Sequence, residues 1–264
     1  MSPDVAFILL LIVKMVVSAC FVATASFVAE RAGVVMGAMV ASLPIAIGPV
    51  YVFLAMDHDS SFIATSALAT LVSNAATTIF TVVYIFVAQR NGTWTSYLAA
   101  LLSWCAAWIV FAQFSWQLPA ALILNLAIFA ITIPLVSRFR NAAMVVPQRR
   151  WYDLPLRAGL VATLVLVVVL VSQRLGPTVS GVVAAFPIVF TSLIVILHPR
   201  IGGRANAAVV ANAMAGMVGF TLAVVIVIVT AVPLGSPIAL SLALAVAVAW
   251  NLMLLFARRH GLLG

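Results

Sequence analysis

Apolar residues run in stretches of about twenty along this chain, separated by short clusters of Gly, Pro, Arg and Asp. A bilayer core needs roughly 20 apolar residues per helix. The pattern therefore predicts nine transmembrane helices, at 5–29, 33–55, 62–88, 94–113, 116–137, 154–173, 177–197, 205–231 and 236–257. The runs lack the apolar–polar alternation of a membrane barrel, and backbone amides in lipid must be satisfied within the segment. The expected fold class is all-α, a polytopic membrane protein.

Composition excludes the soluble alternative. Of 264 residues 66% are hydrophobic and 7% charged, whereas soluble domains carry about a quarter charged residues. Cys20 and Cys105 both lie inside apolar runs and frame neither a disulfide scaffold nor a thiolate metal site. The first run has no basic region ahead of it and contains Lys14, so it is not read as a cleavable signal peptide.

The net charge of +8 becomes a topological signal once the charges are placed. Cytoplasmic loops collect Lys and Arg, and the loop after the fifth helix carries Arg138, Arg140, Arg149 and Arg150. With that loop inside, Arg31, Arg90, Arg200, Arg204, Arg258 and Arg259 also fall inside, and Arg174 is left outside. The predicted orientation in a cytoplasmic (inner) membrane is N-terminus out and C-terminus in. The cations orient the chain, and no nucleic-acid partner is expected.

Self-comparison finds a repeat. Glu30-Arg31-Ala32-Gly33 leads to Ser42-Leu43-Pro44, and in the second half of the chain Gln173-Arg174-Leu175-Gly176 leads, at the same spacing, to Ala185-Phe186-Pro187. The interval from Pro44 to Pro187 is the repeat offset. Lys14 and Arg157 are separated by that same offset, each equally far ahead of its proline, and farther on Asn74 is set against Asn212 and Trp108 against Trp250. Helices 1–4 (1–114) and 6–9 (154–264) thus form two four-helix repeats, joined by a connector helix and basic loop (115–153). Because the second copy begins after an odd number of crossings, the repeats are inverted. Inverted repeats are the architecture by which one chain opens alternately to either side of a membrane.

A basic residue in the first helix, then a Gly and a Phe-Pro or Leu-Pro dipeptide, a Gly/Ala-rich helix and a Trp-bearing fourth helix resembles the small GlpM-type bacterial membrane proteins. Here the pattern is Arg157, Gly181, Phe186-Pro187, Ala205 to Gly219, Pro237 and Trp250, with Lys14, Gly37, Leu43-Pro44 and Trp108 in the first copy. The resemblance implies a fused, inverted pair of such four-helix units; it implies no particular chemistry.

Three sets of residues are candidates for a substrate path. Charges within membrane helices are costly and often line such paths; Lys14 and Arg157 would be symmetric cationic gates for an anionic solute or lipid headgroup, the alternative being that each snorkels to its interface. Ser42 and Pro44, and Pro187 and Thr191, mark prolines in equivalent helices, where a missing donor frees carbonyls and predicts discontinuous helices; the plainer account is a packed kink. Asn74 and Asn212 lie among small residues, most of which serve close packing, but a buried amide needs a partner. His58, between Asp57 and Asp59, and His198, beside Pro199, are read as loop residues, and the Asp-His-Asp turn as solvated rather than a metal site.

No Asp or Glu is expected inside a span, and no P-loop, metalloprotease or paired catalytic set is found, so neither an enzyme nor a cofactor is expected. The leading expectation is a secondary transporter of a small anionic or zwitterionic solute. The rival is a non-transporting accessory or scaffold subunit in envelope lipid or polysaccharide assembly, its basic loops binding lipid headgroups. A homodimer is left open.

Overall fold

The computed structural model describes residues 3–31, 47–140 and 150–260. The described residues form only helices and their connections. These are α1 (Pro3–Arg31), α2 (Ile47–Asp57), α3 (Ser60–Val87), α4 (Thr93–Phe111), α5 (Leu118–Ser137), α6 (Asp153–Ala184), α7 (Ile188–Ile201), α8 (Gly203–Leu234) and α9 (Ser236–Arg259). Seven are long and apolar enough to cross a membrane; α2 and α7 are shorter. The chain is a multi-pass, all-α membrane protein, but among the described residues seven helices rather than the nine expected have the length of a span, and of 33–55 only 47–57 is described.

Helix α6 is too long for one crossing: at 1.5 Å per residue, 32 residues reach about 48 Å against a hydrocarbon core of about 30 Å. Gly176 divides it. With φ +77 and ψ −175 the residue leaves helical geometry, and Pro177 supplies the fixed φ suited to a new helix start. Gly202 and Gly235 take the same left-handed φ at the α7–α8 and α8–α9 junctions, which lets those helices follow one another with almost no loop.

The predicted span 177–197 is interrupted. Its helix stops at Ala184, passes through Ala185, Phe186 and Pro187, and restarts at Ile188. Of the corresponding span 33–55, only α2 is described; Ser42 and Pro44 lie outside the described residues, as does Gly37.

Helices α3 and α8 make the centre. They run antiparallel: Ser60 meets Ser236, just past the end of α8, Asn74 meets Thr221 midway, and Tyr84 meets Asn206 toward the other end. In α3 this burial extends around most of the helix, including Ser66, Thr70, Ser73, Asn74, Thr77, Thr78 and Thr81. A helix this polar is stable in lipid because other helices surround it. Around the central pair, α1 packs on α6, α4 on α3 and α9 on α8; α4 also touches α7, and α9 touches α2. Helix α5 lies against α3 and α8. The outward faces of α4 and α5 are apolar, with Leu102, Ile109, Ile123, Leu126 and Ile131 exposed to where lipid would be.

Candidate functional site

The α7 break is held by hydroxyls. Helix α3 presents Ser66, Thr70 and Thr77 on one face, at helical spacings of four and seven. They donate to the carbonyls of Pro177 (3.0 Å), Gly181 (2.8 Å) and Ala185 (3.3 Å), which themselves follow one another turn by turn. The two helices come this close because position 181 is glycine: a β-carbon there would collide with the backbone oxygen of Ser66. Tyr51 of α2 shares a hydrogen bond with the Thr70 hydroxyl at 2.7 Å. Trp104 of α4 donates its indole N–H to Thr77 at 3.1 Å and stands edge-on to Phe186 of the break.

Pro187 takes the N-cap position of α7, with Thr191 one turn on. Thr191 and Ser73 are both buried, and neither hydroxyl has a hydrogen-bond partner among the described residues. The interior of the bundle thus contains an interrupted helix and two hydroxyls with unused capacity. Such groups can exchange protein partners for a polar ligand without a charge being stranded in lipid.

Asn74 belongs to a neighbouring network. Its amide donates to Asn125 Oδ1 (3.1 Å) and Thr221 Oγ1 (2.9 Å), and Asn125 in turn donates to the carbonyls of Leu71 and Ala121. Asn125 escapes the sequence reading, although a lone amide in an otherwise apolar connector helix was a usable signal. Asn212 does not join this network. It donates to the carbonyls of Arg140 (3.2 Å) and Ala208 (2.9 Å), and lies about 13 Å along α8 from Thr221. The starts of α3 and α8, Ser60 and Gly203, are separated by the same offset as Pro44 and Pro187; counted by that offset alone Asn74 falls on Met217, whereas the sequence comparison sets it against Asn212 across a shorter loop.

Lys14 does not stand alone. Its side chain is 3% exposed and its Nζ lies 2.6 and 2.5 Å from the two carboxylate oxygens of Asp57, the last residue of α2. Arg157 is half-buried on α6, one turn beyond Asp153. The second buried ion pair is made by that aspartate with Arg200 near the end of α7, a two-pronged contact at 2.7 and 2.5 Å. Asp153 also accepts from the Arg150 backbone N–H, and the Arg200 guanidinium stacks over Tyr152 at 5.1 Å. Tyr152, in the loop, has its phenol pKa lowered chiefly by the hydrogen bond from Arg150.

His198 is not a loop residue. Helix α7 runs through Pro199 to Ile201, and the buried His198 ring meets the Tyr84 hydroxyl through Nδ1 at 2.8 Å; Asn206 donates to the same hydroxyl at 2.6 Å. Pro199 gives up one intrahelical bond, that to the carbonyl four residues back, and the helix still runs two residues past it to Ile201. In the Asp-His-Asp turn, Asp57 binds Lys14, Asp59 caps α3 by accepting from Phe62 N–H, and His58 stacks on Phe62. Desolvation lowers the His58 pKa even with an aspartate on either side. Among the described residues no three His, Cys, Asp or Glu side chains are grouped to hold a metal ion.

Compared with known family models, curated proteins and solved structures, the chain finds no match, so its function has to be argued from this geometry alone.

Proposed function

We propose that the protein is a secondary transporter of the inner membrane, moving a small anionic or zwitterionic solute by alternating access between two inverted four-helix repeats, with its N-terminus outside and its C-terminus inside. The carrying observation is the mid-membrane break at Ala185-Phe186-Pro187, braced by hydroxyls of α3 and by Trp104 of α4 and flanked by the unpartnered hydroxyl of Thr191. Half-helices that meet near the midplane offer backbone groups to a solute or coupling ion, which a continuous helix does not.

Helix pairing supports the repeat. Exchanging α1–α4 for α6–α9, with the half-helices as partners, turns the α3–α4 contact into α8–α9 and the α4–α7 contact into α9–α2, all of which occur; α1–α6 and α3–α8 map onto themselves. The starts of α4 and α9, Thr93 and Ser236, also stand one repeat offset apart, each after a glycine. The likeness to GlpM-type four-helix units belongs to the same proposal, as does a non-catalytic role.

The test is cysteine accessibility at Ser42 and Ala185, probed from each side of the membrane, together with an untargeted comparison of solutes in cells with and without the gene. Labelling from alternate sides and a displaced solute support transport. If neither position ever labels, the transport proposal is wrong. The scaffold alternative draws on the Asn74–Asn125–Thr221 network, whose amides find protein rather than solute partners; it expects a dry bundle and an unchanged solute profile.

A further inference from the structure

The two buried ion pairs occupy corresponding places. Each ties the first helix of a repeat to the C-terminal end of a short helix: Lys14 of α1 to Asp57 of α2, and Asp153 of α6 to Arg200 of α7. Asp57 and Arg200 are separated by the same offset as Pro44 and Pro187. The charges are exchanged, since the short helix brings the acid in one pair and the base in the other. The partners on the long helices, Lys14 and Asp153, miss the repeat register by about one helical turn, so the second bond is not a copied residue pair.

The pairs also lie at opposite ends of α3. Asp57 immediately precedes the turn that caps α3, whereas His198, just before Pro199 and Arg200, bonds to Tyr84, about 36 Å along that helix from its start. That distance is the thickness of the apolar membrane core and a little more.

We infer that the two ion pairs are the alternating latches of the two membrane faces: Lys14–Asp57 closes one face, Asp153–Arg200 the other, and each half-helix swings outward when its pair parts. This rests on the transport proposal and names the residues that gate it. Ion pairs suit the task because the Coulomb attraction gained in the closed state is nearly offset by the hydration regained when water enters, so a modest force moves the equilibrium. A purely apolar seal would give nothing back on opening.

The latches are unequal. Asp57 puts a negative charge at the C-terminal, partially negative end of α2, whereas Arg200 puts a positive charge at the same end of α7. Arg200 further holds Asp153 in a two-pronged fork and stacks on Tyr152. The Lys14–Asp57 face is therefore the one that opens more readily without solute.

The test uses the full chain in liposomes, with Cys20 and Cys105 replaced and a single reporter at Leu54→Cys or Leu197→Cys. These leucines are buried one turn inside each latch and again occupy matching repeat positions. A membrane-impermeant maleimide is applied from each side. Asp57→Asn should raise labelling at Leu54→Cys about tenfold and lower it at Leu197→Cys, and Asp153→Asn should do the reverse. The exchanged pair Lys14→Asp with Asp57→Lys should return both reporters toward their starting rates. The exchange also carries the test if Asp57→Asn alone fails to fold.

Labelling that rises at both reporters, or at neither, or an exchanged pair that folds with wild-type melting but leaves the faces uncoupled, would make these bonds static staples and overturn the inference. Reciprocal labelling with no solute displaced in the cell comparison would keep the latches and sink transport. A displaced solute with non-reciprocal labelling would do the opposite.

Discussion

Lys14 shows how much a single side chain can depend on its partner. Its ammonium lies beside the Phe53 ring and against Asp57, so Asp57→Ala leaves a buried charge without its partner in the closed state. Removing one member of a buried pair typically costs about 3–5 kcal/mol. Asp57→Ala should therefore lower the melting temperature in detergent far more than Asp59→Ala, which loses only an exposed helix cap worth about 1 kcal/mol. Asn74→Leu removes bonds to Asn125 and Thr221 and leaves both short of a partner; a loss of about 1–3 kcal/mol, read by thermal unfolding, is expected. The sequence made Lys14 and Asn74 conspicuous as polar groups in apolar runs. It could not give their partners, which lie 43, 51 and 147 residues away and are chosen by packing.

At the scale of elements, the seam between α3 and the second part of α6 depends on Gly181 and on the hydroxyls that follow its carbonyls. Gly181→Ala would push α6 from the Ser66 carbonyl and strain three hydrogen bonds together. Overpacking of this kind costs about 1–3 kcal/mol, and the variant should melt earlier while keeping its helix content by circular dichroism. Pro187→Ala acts differently. It restores a backbone donor at the break and should abolish solute movement in cells with little effect on melting, because the α3 hydroxyls still reach Pro177 and Gly181. The break was legible in the matched prolines; the hydroxyl ladder was not. Small and polar residues along α3 spoke equally for packing and for binding, and only the facing carbonyls of 177, 181 and 185 decide which hydroxyls are spoken for. For His198, a neighbouring proline and arginine suggested a loop, yet packing against Tyr84 carries the helix past both.

For the whole molecule, hydropathy gave the all-α, multi-pass class and most helix positions, since lipid imposes length and internal hydrogen bonding on each crossing, but not the break at 185–187 or the short lengths of α2 and α7. The orientation proposed from the arginines puts the C-terminus inside, so a reporter fused after His260 should be active only in the cytoplasm. Reversal of that signal would overturn the proposed orientation. The inner arrangement was less legible, because a repeat read from sequence gives equivalent positions but not which of them touch. Asn74 and Asn212 were paired by residue type, and in the structure they bond to different partners, Asn74 to Asn125 and Thr221 and Asn212 to the carbonyls of Arg140 and Ala208.

In the proposed repeat, helix α5 has no counterpart, and through Asn125 it grips Leu71 and Asn74 of α3, beside the midpoint of the α3–α8 crossing. If the two halves rock about that crossing, the connector is a one-sided spring: the two end states of the cycle differ in energy before any solute binds, and the molecule rests off-centre. Loosening the spring with Asn125→Ala should bring the resting populations of the two states closer together, seen as converging labelling rates at Leu54→Cys and Leu197→Cys.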